Sequence, residues 1–394
     1  MNDADPGAGV MAVENTPIDR RQVLRWGGGT LGLAVAGGVL SACSTTDTPT
    51  PAAPSPAPAA PEAAGPTQLP GALLTIRSTD VSWLWAPYLV ADGLGFFEEE
   101  GLTQRGQALN IGEVAGVVLS GTADMIIGSP IGPFKTNLAG RPLIPFAAAV
   151  TTFASNIVIT GDKFDAAGLT DTSTVAERAA ALRGLTIGTT GVGAGPDLLV
   201  RYVASELGGL DPAVDLTPTA VQGGGSAMLA GVDAGQLDGF CLSSPTSDTG
   251  VQQFGMKYLF NMSEDPIEEL VGYLYIVMST TPEYLETKPE YAVAYARGLQ
   301  RALNYIKEEP EGFKEFMRGL FGNVDPAVFE AGFESNKGIY GDTILITEAQ
   351  FEANRDFLVR ELVLNGDDPA PALALTFEGS VNTSIAEQAL ASMA

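Results

Sequence analysis

One arrangement constrains this chain more than any other, because the chain uses it twice. Residues 73–78 read as a strand. A helix follows from Pro87 towards Asp92, with the proline in its first turn. Gly121-Thr122-Ala123-Asp124 then leads into the apolar strand 125–128. The order restarts at Leu185. Residues 185–188 read as a strand, and 196–207 as a helix with Leu199, Tyr202, Val203 and Leu207 on one face and Gly208 past its end. Gly235-Gln236-Leu237-Asp238 leads into the strand 239–242. Strands alternating with helices build βαβ units around a mainly parallel sheet. Two such runs predict an α/β protein of two similar lobes, each with a mainly parallel sheet flanked by helices.

Further strands are expected near 107–111, over 143–150 and, more polar, over 217–221. Residues 157–160 and 273–278 bracket the second run and are candidates for strands that cross between lobes. Helices are expected over 284–307, with Pro289 punctuating the first part, and over 312–321, 326–337 and 348–364. The predicted division is 71–155 with 272–394 as lobe I, and 156–271 as lobe II.

Ahead of the folded part, Asp19-Arg20-Arg21-Gln22-Val23-Leu24-Arg25 precedes an apolar stretch, 26–42, of 17 residues with six glycines. Leu40-Ser41-Ala42-Cys43 closes it. The order resembles a twin-arginine export signal ending in a bacterial lipobox. The stretch is short and glycine-rich for a spanning helix; a plain membrane anchor, and general secretory export, are the competing readings. The expectation is a signal peptide over 1–42 and a lipid on Cys43, which would hold the protein at the outer face of the cell membrane. Residues 44–70 contain eight prolines and seven alanines. Such a segment cannot bury enough apolar surface to order itself and is expected, as part of 43–70, to be an extended linker.

Composition removes several functions. Lys and Arg total 21 against 47 Asp and Glu, a net charge of −26. That balance argues against nucleic acid and anionic lipid headgroups as partners. There is no histidine, which eliminates Ser-His-Asp and Cys-His catalysis and every histidine-containing metal site. Carboxylate dyads and Ser-Lys pairs survive composition without a local signature. With Cys43 assigned to lipid, Cys241 remains as a buried small hydrophobe, and no intrachain disulfide is available. No cofactor and no metal are expected, and the protein is expected to be a monomer.

The run Ala86-Pro87-Tyr88-Leu89-Val90-Ala91-Asp92-Gly93-Leu94-Gly95-Phe96-Phe97-Glu98-Glu99-Glu100-Gly101-Leu102 resembles the opening of the solute-binding proteins of bacterial importers for nitrate, alkanesulfonates, taurine and thiamine-pyrimidine precursors. Gly121-Thr122-Ala123-Asp124, Leu182-Arg183-Gly184-Leu185-Thr186-Ile187-Gly188, and Ala230-Gly231 through Gly235-Gln236-Leu237-Asp238-Gly239 add to the resemblance, which spans roughly 73–340. It implies a type II periplasmic-binding fold, hinged around a central cleft, with an ATP-driven (ABC) permease as partner.

Candidate site residues follow from strand ends, where ligands sit in open α/β sheets. The loop 188–196, with Thr189, Thr190 and Gly193, joins a strand to a helix start whose open N–H groups can hold an anion; in the family this turn faces the ligand. Its Gly-x-Gly-x-Gly spacing misses the dinucleotide fingerprint, and Asp197 in the first helical turn opposes an anion. A tight turn needing glycine is the competing reading. Trp83, Trp85 and Tyr88 cluster beside Asp80 after the first strand, where rings could stack on a heterocycle or surround an organic cation; the alternative is a core anchor. Ser129 and Ser243 stand at paired strand ends, and helix capping explains each equally well. Asn156, beside Ser155 at the first crossover, is open between hinge, ligand contact and turn. No arginine lies in these segments, which favours a partly aromatic or polar-neutral organic solute. The expected function is a lipid-anchored extracytoplasmic solute-binding protein feeding an ABC importer by cleft closure, and not an enzyme. A receptor or scavenger without a permease, and a pyrimidine-synthase-like enzyme, are the alternatives.

Overall fold

The computed structural model describes residues 67–79, 81–109 and 114–393, within one compact unit that spans 63–394. Asp80, Cys43 and the expected export signal over 1–42 lie outside the described residues.

Two five-stranded sheets organise the chain. Lobe I holds β1 (Ala72–Arg77), β2 (Thr103–Ala108), β3 (Met125–Gly128), β4 (Ile144–Val150) and β10 (Ile276–Thr280), in the order β2-β1-β3-β10-β4. Lobe II holds β5 (Asn156–Thr160), β6 (Thr186–Thr189), β7 (Thr217–Ala220), β8 (Gly239–Leu242) and β9 (Met256–Phe260), in the order β7-β6-β8-β5-β9. In each sheet one strand runs against the rest: β10 is antiparallel to β3 and β4, and β5 to β8 and β9. These are the two strands by which the chain enters lobe II and returns from it.

The repeated Gly-x-x-Asp step has one physical cause in both lobes. Gly121 and Gly235 adopt φ of 74° and 65°, a left-handed conformation that glycine takes without steric cost. Asp124 Oδ2 then accepts from the backbone N–H of Leu74 at 2.8 Å. Asp238 Oδ2 accepts from Thr186 N–H at 2.8 Å. Each carboxylate therefore ties the strand it opens to the neighbouring parallel strand, β1 in lobe I and β6 in lobe II. The parallel extends to an ion pair at the same place, Lys288 with Asp124 at 3.8 Å and Lys163 with Asp238 at 3.1 Å.

Helices cover the sheets: α1 (Ala86–Gly93), α2 (Ile131–Leu138), α3 (Gly195–Tyr202), α4 (Thr246–Gln253), α5 (Pro289–Glu308), α6 (Pro326–Asn336) and α7 (Glu348–Asn365). The strongly apolar face of α5 lies on lobe I, where Tyr295 stacks on Phe97 with ring centroids 4.5 Å apart. The C-terminal helices touch both lobes. On α7, Phe357 packs against Phe153 and Tyr273 and also against Tyr202 of α3. Helix α6 lies against α4 of lobe II, an approach that Gly332 permits: a Cβ there would stand 2.8 Å from both Ser244 Oγ and Trp83 Nε1. Cys241 is buried and free.

Candidate ligand-binding cleft

The C-terminal ends of strands from both sheets open onto one cavity of about 460 Å³, within the range of small-molecule sites. Lobe I contributes Ser78 and Thr79 after β1, the turn Trp83–Trp85 through Ser82, Leu84 and Trp85, and Gly128 and Ser129 leading into α2. Lobe II contributes the glycine loop from Thr190 to Pro196, Gln222 after β7, and Leu242 and Ser243 after β8. Ser155 and Tyr275, the residues just before the two crossing strands, complete the wall. Their hydroxyls meet at 2.5 Å, and Tyr275 N–H donates to Val150 O at 2.9 Å. The two crossovers are thus bonded side by side at the edge of the cavity.

Five sequence-predicted residues line this space: Trp85, Ser129, Thr190, Gly193 and Ser243. Trp85 is held by its Nε1–H, which donates to Thr79 Oγ1 at 2.8 Å. Ser129, which precedes the N-cap Pro130, also accepts from the N–H of Ile131, the first residue of α2, at 3.3 Å. Four predicted residues lie elsewhere. Trp83 is 1% exposed and is boxed by Phe321, Phe329, Phe333 and Phe313, with centroids 4.9, 5.5, 6.0 and 6.2 Å from its own. It anchors the core below the loop. Tyr88 is equally buried, receives Gln104 Nε2 and faces Phe97. Asn156 is buried with both ends satisfied, donating to Ser247 Oγ and accepting from Ser263. It braces lobe II from within. Thr189, 1% exposed, ends β6 beneath the glycine loop.

Asp197 does not oppose an anion in the cavity. Its carboxylate turns back on its own loop, accepting from Gly193 N–H and Arg201 Nε at 2.9 Å each. The loop's shape is therefore fixed by a side chain one helical turn away, at the expense of one of its open N–H groups.

The cavity does hold a cation. Lys135, on α2, lines it. Its Nζ donates to Glu361 Oε1 on α7 at 2.8 Å and to Gly193 O at 3.2 Å. Glu361 is 5% exposed at the side chain, Lys135 37%. Burial pushes the Glu361 carboxyl up, against the pull of Lys135, and Asp197 adds to the rise. Lys135 is the single charged residue of α2, and its partner lies 226 residues away in sequence, so local pattern does not mark this group.

Among the described residues no group of histidine, cysteine, aspartate and glutamate side chains is placed to hold a metal ion. No helix among them is long and apolar enough to cross a membrane.

Residues 82–318 match the NMT1-like family. The chain belongs to the NMT1-like family. Its fold is shared with several solved proteins. One is the alkanesulfonate-binding protein SsuA from Xanthomonas axonopodis pv. citri, at 17% identity over 79% of this chain and 99% of that one, TM-score 0.59. Another is the nitrate-binding protein NrtA from Synechocystis PCC 6803, at 16% identity over 82% and 88%, TM-score 0.61. A Candida albicans protein described as having the generic periplasmic binding protein fold matches at 16% identity over 81% and 96%, TM-score 0.58. At these identities the likeness is one of fold. No curated protein matches this NMT1-like chain.

Proposed function

We propose that this protein is an extracytoplasmic solute-binding protein that delivers a small organic solute to an ABC importer. The observation that carries this reading is the cavity itself: its walls come from the strand ends of both sheets, and the two crossing strands are bonded at its edge. A solute touching both walls stabilises the closed arrangement of the lobes, and closure is a hinge motion driven by that differential contact. In this reading residues 1–42 are the export signal, Cys43 carries lipid and 43–70 is the spacer. Lobe I is 71–155 with 272–394, and lobe II is 156–271. The lining mixes two aromatic side chains, Trp85 and Tyr275, with aliphatic side chains and the hydroxyls of Ser78, Thr79, Ser129, Thr190 and Ser243. That chemistry suits a partly aromatic or polar organic solute.

The test is a thermal-shift screen of amines, pyrimidines, flavins and sulfonates, followed by calorimetric titration of the best hit. A ring stacked on Trp85 contributes on the order of 1–3 kcal/mol, so Trp85→Ala should weaken binding roughly 5- to 150-fold. Thr190→Val, on the opposite wall, should also weaken it. Unchanged affinity in both variants, with native circular dichroism, would place the site elsewhere.

A further inference from the structure

We infer that Glu361 sets the charge preference of this cavity by holding Lys135, the one cation lining it among the described residues, in a preformed ion pair, so that uncharged solutes are favoured over anionic ones. The inference rests on the binding role proposed above and concerns what kind of solute that site accepts.

Lys135 Nζ is pinned from two directions, by Glu361 Oε1 and by the carbonyl oxygen of Gly193. Gly193 is wedged against the pair: a Cβ at this position would collide with the Glu361 carboxylate and Lys135 Nζ, and its φ of 72° already favours glycine. Glu361 Oε2, buried, finds no hydrogen-bond partner among the described residues. The charged and titratable groups around Glu361 are Lys135 from α2, Asp197, Arg201 and Tyr202 from α3, Glu206 just after it, Tyr273 before β10, and Arg360 of α7 itself, which lies over the Tyr202 ring. Arg201 is already engaged by Asp197 at 2.9 Å. Lys135 is therefore the cation that balances Glu361.

An anionic group entering the cavity finds Lys135 with two of its three donors engaged and its charge already balanced by Glu361; to form its own full ion pair it would have to draw Lys135 away. That move would leave Glu361 as an uncompensated buried carboxylate beside Asp197, which is strongly unfavourable. The remaining route is for Glu361 to take up a proton from solvent as Lys135 turns to the anion. Anion binding at this site is then coupled to proton uptake and weakens as pH rises. A neutral solute leaves the pair intact and binds without that coupling.

Benzenesulfonamide and benzenesulfonate are near-isosteres that differ in charge and serve as the probes. In wild type the sulfonamide should bind more tightly at pH 7.5. Glu361→Gln removes the negative charge but keeps the shape. It should raise benzenesulfonate affinity at least about tenfold, the gain expected of a freed charge-assisted hydrogen bond, and abolish the pH dependence of that binding. The sulfonamide should be nearly indifferent to the substitution. A reading independent of any solute is the acylation rate of Lys135 by an amine-reactive ester, followed by peptide mass spectrometry; it should rise severalfold in Glu361→Gln. If a folded Glu361→Gln protein gains neither sulfonate affinity nor Lys135 reactivity, the inference is overturned. Sulfonamide binding to both proteins would then still support the cavity as the site, whereas faster acylation with no binding of either probe would count against the binding role and not against the ion pair.

Discussion

Trp83 and Trp85 are separated by one residue and both are buried, but only Trp85 also lines the cavity, so substitutions at the two should differ in their effect on solute affinity. Trp83→Ala removes a side chain that is 1% exposed and packed against four phenylalanine rings from Phe313, Phe321, Phe329 and Phe333. Truncations of this kind cost about 3–5 kcal/mol, because transfer free energy is lost and the cavity left behind closes only in part. The four rings belong to the helices Pro310–Leu320 and Pro326–Asn336 and, for Phe321, to the turn between them, so the surroundings cannot collapse without moving a helix that also contacts lobe II. At about 2.1 cal/mol/K per residue, the unit 63–394 unfolds with an entropy of about 0.7 kcal/mol/K. The loss should therefore lower the melting temperature by about 4–7 °C in differential scanning calorimetry. Trp83→Phe, which keeps most of the aromatic area, should recover more than half of that. A melting temperature for Trp83→Ala within about 1 °C of wild type would refute the assignment of Trp83 to the core. So would a selective loss of solute affinity without destabilisation.

The twin carboxylate braces predict matched losses. Asp124→Ala and Asp238→Ala should each destabilise by about 1–3 kcal/mol, since each strands a strand N–H, and the double variant should be additive because the braces sit in different sheets; chemical denaturation measures all three. Burial raises the Asp248 carboxyl in the folded state, against hydrogen bonds from Ser244 and Tyr258. The folded protein thus binds this proton more tightly than the unfolded chain, so stability falls as pH rises from the unfolded carboxyl value, near 4, through the raised folded one. Asp248→Asn should flatten that part of the stability–pH curve, and an unaltered slope would contradict it.

Sequence legibility followed side-chain pattern closely. The strands at Met125–Gly128 and Gly239–Leu242 could be bounded to the residue, because each is wholly apolar and each follows Gly-x-x-Asp. The edge strand at Thr103–Ala108 has the polar, mostly exposed sequence Thr-Gln-Arg-Gly-Gln-Ala, so the apolar signal pulled its expected position towards 107–111. Helix α4, Thr-Ser-Asp-Thr-Gly-Val-Gln-Gln, lacks apolar periodicity and went unread, as did β9 after it. At the site, strand ends located Ser129, Thr190 and Ser243, since topology alone brings such positions to the cleft. Trp-Leu-Trp could not be resolved by pattern, because in a tight turn neighbouring side chains diverge and the Phe cluster that receives Trp83 comes from more than 200 residues downstream. Lys135 and Glu361 were invisible for the same reason.

The order of strands in lobe I has a bearing on how the chain folds. β4 joins its sheet only through β10, which arrives 126 residues later, at Ile276 after Val150. Lobe II has no such gap, since its five strands all lie between Asn156 and Phe260. Closing a loop of that length in a disordered chain costs about 4 kcal/mol of entropy. A folded lobe II removes most of that cost, because it brings Ser155 and Tyr275 within hydrogen-bonding reach of each other and so delivers β10 to the slot between β3 and β4. The second lobe is in this sense a template for the first, and damage to the core of lobe II should surface as an unfinished sheet in lobe I.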